Sequence, residues 1–333
     1  MVREVPVPEP PALVHPAWAE RLPWLSQGTT VRGHGPESFD LGIFSDASPP
    51  RSVLGNWERL RTGTGFPRVV HAHQIHGATV RVHDAGPPGL HLAEACDGHA
   101  TAVPGTLLAV TVADCVPVSV VDPERRAVAL LHAGWRGVAA GILERGLAVL
   151  GECAGSTASD VLVHLGPAIC GGCYQVGSEV FRALGLPEPA APAPVNLRAA
   201  PAPVDLRAAL AHRAVAAGVR SESISVSAHC TLCGGPGLLS HRGGDRGRQV
   251  GFLGLRPVSG AGPEHPEPGL CVTCRHRRLV ESRRGSRFTL CRLSETDRRY
   301  PRYPKLPVLQ CDGYRGWGPA PSGRGDGAAA RDS

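Results

Sequence analysis

The sequence predicts a mixed α/β domain, and three observations carry that reading. Eight valine-rich runs bounded by Gly, Pro or Asp read as strands: RVVHA, TVRVH, LLAVTV, VPVSVVD, AVALLHA, DVLVHLG, SISVSAH and QVGFLGL. Residues 137–150 and 205–217 space their apolar side chains three and four apart, the period of a helix with one buried face. Several strand runs are apolar without alternation, as expected of strands covered on both faces.

Taken in chain order, the first 24 residues are Pro-rich and are expected to form a loose arm. The strand runs then fill a main domain at residues 25–256. Asp205 is the expected N-cap of the second helix, its carboxylate accepting from the first-turn amides. Residues 186–204 (LPEPAAPAPVNLRAAPAPV) read as a surface loop with a local duplication. A Pro/Gly linker at 257–269 leads to a Cys-rich segment at 270–316, and 317–333 read as a disordered tail. The 270–316 segment holds 12 basic and 4 acidic residues, a net of +8 against +6 for the whole chain, so the remainder is slightly acidic.

Composition excludes several classes. The 333 residues, 42% apolar, are enough to bury a sizeable core. Lys305 is the sole lysine among 35 basic residues, and no GxxxxGK[ST] run exists, which argues against Schiff-base and P-loop chemistry. The longest apolar stretch, residues 106–121, is interrupted by Asp114 and is too short to span a bilayer. The N-terminus lacks the apolar core of a secretory signal. A cytoplasmic location is expected, and the 11 cysteines then read as ligands, catalytic groups or small buried side chains.

Three segments place reactive side chains beside glycine at strand ends: His71-Ala-His73-Gln74-Ile75-His76-Gly77, Ala113-Asp114-Cys115, and His132-Ala133-Gly134-Trp135-Arg136-Gly137. The strands preceding Cys115 and His132 are expected to pair through the turn at Asp122-Pro123-Glu124. His76 would arrive from a third strand. Two imidazoles and a thiolate make a three-donor zinc site with an open fourth position; buried structural His and Cys are the competing reading.

The segments HQIHGATV, ACDGHATAVPGTLLAVTVADCVPVSVVDPERRAVALLHAGWRG and GPAICGGCYQVG resemble the YfiH family, also called the polyphenol oxidase (laccase-domain) or peptidoglycan editing factor family. FDLGIFSD, GNWERL, HCTLC and SHRGGDRGRQVGFLGL match more weakly, and the resemblance covers about residues 28–256. It implies an α/β fold with a mixed-sheet sandwich flanked by helices, similar to cysteine-hydrolase-like toxins. The family's zinc tripod falls on His76, Cys115 and His132.

The resemblance also implies phosphorolysis of purine nucleosides (adenosine, inosine, guanosine, methylthioadenosine) with phosphate as co-substrate, and deamination of adenosine. The alternative is a hydrolase with Cys115 as nucleophile and His132 as base, removing misincorporated serine from peptidoglycan precursors. Laccase activity fits poorly, since the chain offers one HxHxxH run and a single methionine, Met1, although copper would compete for the tripod.

Asp97 and Asp114 are the candidate carboxylates for proton transfer or for orienting a ligand histidine. Arg136 and Arg242 are candidate anion clamps, Tyr174 and Gln175 candidate base contacts, and His73 is expected at the surface or behind the ligands. The chain departs from the family pattern at Cys170 and Gln175 and in the SHRGG segment, which leaves substrate choice open. The Cys230-x2-Cys233 pair is read as structural rather than as a second metal site.

In the basic segment, Cys271, Cys274, Cys291 and Cys311 are candidate ligands of a structural Zn²⁺, with His276 as an alternate. Its charge permits nucleic-acid contact, but a structural module is the favoured reading. No membrane partner is expected, and nothing in the sequence demands more than a monomer.

Overall fold

In a computed structural model of the protein the chain divides into two units, residues 1–258 and 259–333. The described residues are 1–33, 38–187, 202–234, 237–257, 269–281, 287–308 and 310–315. Most of the Pro/Ala-rich loop and of the linker, and the expected tail, lie outside them.

The first unit begins with β1 (Val5–Val7), β2 (Ala12–Val14), α1 (Pro16–Arg21), β3 (Leu25–Thr30) and α2 (Pro50–Thr64). There follow β4 (Arg68–Ala72), β5 (Val80–Val82), β6 (Gly89–Ala93), β7 (Gly98–Thr101), β8 (Thr106–Val112), β9 (Val116–Asp122) and β10 (Ala127–Ala133). The remainder is α3 (Trp135–Ala139), α4 (Ile142–Ala154), β11 (Leu162–Leu165), β12 (Gln175–Val176), α5 (Ser178–Leu184), β13 (Ala202–Pro203), α6 (Leu206–Ala216), β14 (Ile224–Val226) and β15 (Gln249–Leu255).

Two mixed sheets result, ordered β1-β2-β3-β15-β8-β4-β6 and β14-β11-β9-β10-β7-β5. Parallel pairs (β4 with β6 and β8, β5 with β7, β11 with β14) are combined with antiparallel ones. Among the described residues no helix is long and apolar enough to cross a membrane.

Strand alternation sorts the core into layers. On β8, Leu107 and Ala109 pack with Val53, Trp57 and Leu60 of α2, whereas Leu108, Val110 and Val112, with Leu253 of the neighbouring β15, face Val128 and Leu130 of β10. On β10, Ala127, Ala129 and Leu131 turn the other way, onto Ile142, Leu143 and Leu150 of α4. The order is helix, sheet, sheet, helices: the sandwich flanked by helices that the motifs imply. His132 shares the parity of Val128 and Leu130, so it closes one end of the layer between the sheets.

Three expectations are corrected. Residues 1–24 are not a loose arm, because β1, β2 and α1 are built into the fold. Ala12 and Leu13 are buried, and the Glu4 carboxylate accepts from His164 Nε2 and Ser227 Oγ, each at 3.0 Å. Pro6 is tolerated because β1 is an edge strand. The helix expected at 137–150 is two helices, broken at Gly141, whose φ of 83° is left-handed. Finally, the strands before Cys115 and His132 are not neighbours. The Asp122 turn joins β9 to β10, while β8 belongs to the other sheet, so Cys115 sits at the corner where the chain changes sheets. Asp205 does cap α6, accepting from the amides of Arg207 and Ala208.

In the second unit, β16 (Arg277–Glu281) and β17 (Arg287–Cys291) form an antiparallel hairpin. Burial pushes the Cys271 thiol up, and the charges of Cys274, Cys291 and Cys311 add to the effect. Among the described residues, the four sulfurs expected to hold a structural Zn²⁺ are not in the groups whose donor atoms lie within 4.8 Å of one another.

Burial pushes His15, His71 and His83 down to about 4, and it pushes His99 well below its ordinary value. The folded chain therefore binds fewer protons than the unfolded chain between pH 6.5 and 4, and stability falls as pH drops through that window, by up to about 1.4 kcal/mol per pH unit for each histidine. Urea midpoints should decline from pH 7 to pH 5; a flat profile contradicts the buried neutral histidines.

Candidate metal centre and active site

Strand register brings the three motifs together. Leu131 pairs with Gly98 and Ala133 with Val116, so His132 lies beside Asp97, which precedes β7, and Gly134 lies beside Cys115, which precedes β9. The His132 amide donates to the Asp97 carbonyl at 2.7 Å. His76 comes from the loop after β4. That loop is fastened to β8 by Gln74, whose side chain accepts from the Thr111 amide and hydroxyl and donates to its carbonyl. The donor atoms of His76, Cys115 and His132 all lie within 4.8 Å of one another.

Asp97, fully buried, organises this arrangement. One carboxylate oxygen accepts from His132 Nδ1 and from the His76 amide, both at 2.9 Å. The other accepts from the amides of Gly77 at 2.7 Å and Ile75 at 3.2 Å. Binding Nδ1 leaves His132 Nε2 free to face the thiol, the orientation that a carboxylate gives a ligand histidine. The same bonds hold His76 at a left-handed φ of 59°, a conformation that costs on the order of 1–2 kcal/mol for a non-glycine residue.

The electrostatics favour an ionised sulfur. Burial pushes the Cys115 thiol up, but the charge of His132 and hydrogen bonds from His132 and His76 outweigh it, and the value falls to about 6. Burial pushes His132 down, yet Cys115 and Asp97 together raise it to about 9. A thiolate beside two imidazoles, one oriented by a carboxylate, is a donor set suited to Zn²⁺. Gly134 supplies the space. A Cβ there would lie 3.0 Å from both Cys115 Sγ and His76 Cδ2, so only glycine leaves the donors room to converge.

A cavity of about 320 Å³ opens over the group, lined among others by Phe44, His73, Gln74, His241 and Arg248. Phe44 is 53% exposed and packs against His73 at 4.8 Å between ring centroids. The Arg248 amide is held by Asp40, which also accepts from Gly42. His73 is thus a wall residue rather than a group behind the ligands. Phe44, His241 and Arg248 were not singled out by sequence; the weaker FDLGIFSD and SHRGGDRGR matches were the available signal.

Other expected site residues have different tasks. Asp114, at a left-handed φ of 86°, accepts from Thr231 Oγ1 at 2.6 Å and from the Arg242 amide at 2.7 Å, so both its oxygens are engaged in bracing the turn before Cys115. Its geometry is that of a clamp, not of a proton carrier. Arg242 donates to the Gln175 carbonyl and lies over the Tyr174 ring, and Arg136 lies over Trp135 at 4.3 Å. Burial, with the Cys115 charge added, pushes the Tyr174 hydroxyl up to about 12; Tyr174 does not line the cavity over the three donors. A second group was missed: the sulfurs of Cys170, Cys173, Cys230 and Cys233 also lie within 4.8 Å of one another. Two CxxC pairs were its signal.

A two-sheet α/β domain with a Cys/His₂ group at one end of the sandwich defines the class. The profile of the family described as multi-copper polyphenol oxidoreductase laccase matches residues 27–256, and the chain belongs to that family. It is 37% identical over 217 residues to the purine nucleoside phosphorylase YlmD of Geobacillus stearothermophilus, covering 61% of this chain and 79% of that protein. A Mycobacterium bovis protein, also named purine nucleoside phosphorylase, is 36% identical over 234 residues, 64% of this chain and 85% of the relative. The crystal structure of G. stearothermophilus YlmD superposes with a TM-score of 0.66 at 31% identity, over 76% of this chain and 99% of that one. The Bacillus licheniformis protein YfiH gives 0.65 at 26% identity, over 75% and 97%.

Two substitutions test the geometry. Asp97→Asn should weaken metal binding about 10- to 100-fold by loosening His132 and His76. Gly134→Ala should lower occupancy by pressing a methyl group onto two donors. Zinc titration against a chromogenic chelator, with circular dichroism to confirm folding, measures both; unchanged affinity in folded variants contradicts the arrangement.

Proposed function

We propose that this protein is a zinc-dependent purine nucleoside phosphorylase whose reaction takes place over His76, Cys115 and His132. The observation that carries the reading is the convergence of these three donors beneath a cavity walled by an exposed aromatic ring, two further histidines and an arginine. The names of the relatives support the substrate class. The cavity volume is at the small end for organic ligands, which suits one nucleoside with phosphate at the mouth.

In phosphorolysis a phosphate oxygen forms a bond to the ribose C1′ as the bond to the purine nitrogen breaks, and the leaving base takes up a proton. In this reading Arg248, which lines the cavity while its Nη1 donates to the Arg246 and Gly247 carbonyls, binds phosphate, and Phe44 lies against the purine. His73 and His241 are the cavity-lining groups that can hand a proton to the departing base. Asp97 acts through His132 and is a positioning residue. Bound at the tripod, Zn²⁺ supplies Lewis acidity near neutral pH. Adenosine deamination at the same centre is the companion activity. Laccase chemistry stands outside this reading, since a blue-copper oxidase needs many paired histidines and an axial ligand, and the sequence carries one HxHxxH run and a single methionine, Met1.

A second reading has its own observation. Cys115, His132 and Asp97 stand in the order of a nucleophile, a base and an orienting carboxylate. A thiol hydrolase of this kind would act on a muramoyl-serine amide in a peptidoglycan precursor.

One assay separates the two. Purified protein receives adenosine or inosine with phosphate, and free base, ribose 1-phosphate and inosine are quantified. Turnover should fall at least about 100-fold in His132→Ala and Cys115→Ala. It should also be lost on chelation and return with zinc. Turnover that survives chelation but stops on alkylation of Cys115, together with cleavage of the precursor amide, replaces the phosphorylase by the hydrolase.

A further inference from the structure

The four cysteines that the proposed reaction does not use arise from a long-range feature of the topology. β11 and β14 run parallel, with Leu165 beside Val226. Their register continues past the sheet. The Ser227 amide donates to the Leu165 carbonyl, Ala168 bridges Cys230 in parallel fashion, and the Thr231 amide donates to the Ala168 carbonyl. Two CxxC turns, Cys170-x2-Cys173 and Cys230-x2-Cys233, are thereby set side by side although about 60 residues apart in sequence.

The local geometry suits a metal. All four thiols are free, and Cys170 Sγ lies 3.8 Å from Cys233 Sγ. A tetrahedral ion with metal–sulfur bonds of about 2.3 Å sets its sulfurs about 3.8 Å apart. That separation is far beyond the roughly 2.05 Å of a disulfide. The Cys230 sulfur, which is buried, accepts from the amides of Cys170 at 3.3 Å and Cys233 at 3.4 Å. Such bonds support a thiolate and fix the direction of its lone pairs. The Cys173 amide donates to the Cys170 carbonyl, closing the first turn back on itself. The donors come entirely from protein sulfur, leaving no position for substrate, which is the character of a structural centre.

We propose that Cys170, Cys173, Cys230 and Cys233 bind a structural Zn²⁺ that ties the loop after β11 to the loop after β14. The consequence reaches the neighbouring site through covalent adjacency. Thr231, inside the second turn, donates to Asp114, the residue before Cys115. Tyr174 and Gln175 follow Cys173 directly, and the Gln175 carbonyl accepts from Arg242. The ion therefore holds the loop that carries Tyr174 and Gln175 and braces the backbone that presents the Cys115 sulfur. The site is independent of what the His76–Cys115–His132 group binds.

The test is metal content of the full chain, purified in reductant, wild type beside Cys170→Ser/Cys230→Ser and Cys115→Ala. The double variant should lose one equivalent of zinc, distinct from the equivalent lost in Cys115→Ala. In cobalt-loaded protein it should lose the share of sulfur-to-cobalt absorption due to one Cys₄ centre, while any tail contribution is common to all samples. A folded double variant with wild-type zinc and an unchanged cobalt spectrum overturns the proposal.

If the double variant does not fold, alkylation mapping on the wild type decides. Peptides carrying the four cysteines should resist iodoacetamide in the zinc-loaded protein and become labelled after chelation. Immediate labelling of the loaded protein, or a Cys170–Cys233 disulfide found by mass spectrometry in its place, overturns it as well.

Discussion

The site depends on a single buried carboxylate. Asp97 is sealed from solvent, and an ion so placed is tolerated only when hydrogen bonds replace its lost hydration. Three backbone amides and one imidazole do so here. Because those amides belong to consecutive residues 75–77 and the imidazole to His132, satisfying one side chain fixes a loop and a strand relative to each other. Burial pushes the carboxyl upward, but the bond from His132, the amides and the His132 charge prevail, and Asp97 is held below the usual carboxylate range. It stays ionised at neutral pH, which is the condition for all four bonds.

The two-sheet architecture explains why Cys115 can meet His132 at all. The chain leaves β8 in one sheet and enters β9 in the other, and the crossing residues 113–115 must turn sharply. Asp114 absorbs that turn with a positive φ, braced by Thr231 and Arg242. Of the three left-handed non-glycine residues among the described ones, His76 and Asp114 aim or carry the donors, and Arg126 lies in the turn between β9 and β10. Around them the strands are buried on both faces and cannot yield.

Much of this was legible in the sequence, for definite reasons. The eight strand runs are β-branched and bounded by turn formers, so local composition suffices to find them. QIHG, ADC and HAGWRG pointed to the tripod through their resemblance to a family, since their spacing alone left buried structural His and Cys as the competing reading. Gln74 makes three bonds to Thr111, and Gly134 leaves space that any side chain would fill.

What escaped notice depended on distant pairing. Proline content marks residues 1–24 as irregular, yet an edge strand accepts proline. Nothing local says that Glu4 will find His164. The helix break at Gly141 hides in an unbroken apolar period. The cysteine pairs at 170–173 and 230–233 look unrelated until β11 and β14 are known to run in parallel.

The Glu4 cluster gives the beginning of the described chain an influence out of proportion to its length. The Val2 amide donates to the Val226 carbonyl, and the Val2 carbonyl accepts from Ala228, two residues before Cys230. Thr231 and Asp114 continue that line of bonds to the residue beside the Cys115 thiol. Residues 2–4 therefore hold the strand β14 and the loop after it, and that loop carries Thr231, whose hydroxyl braces the residue before Cys115.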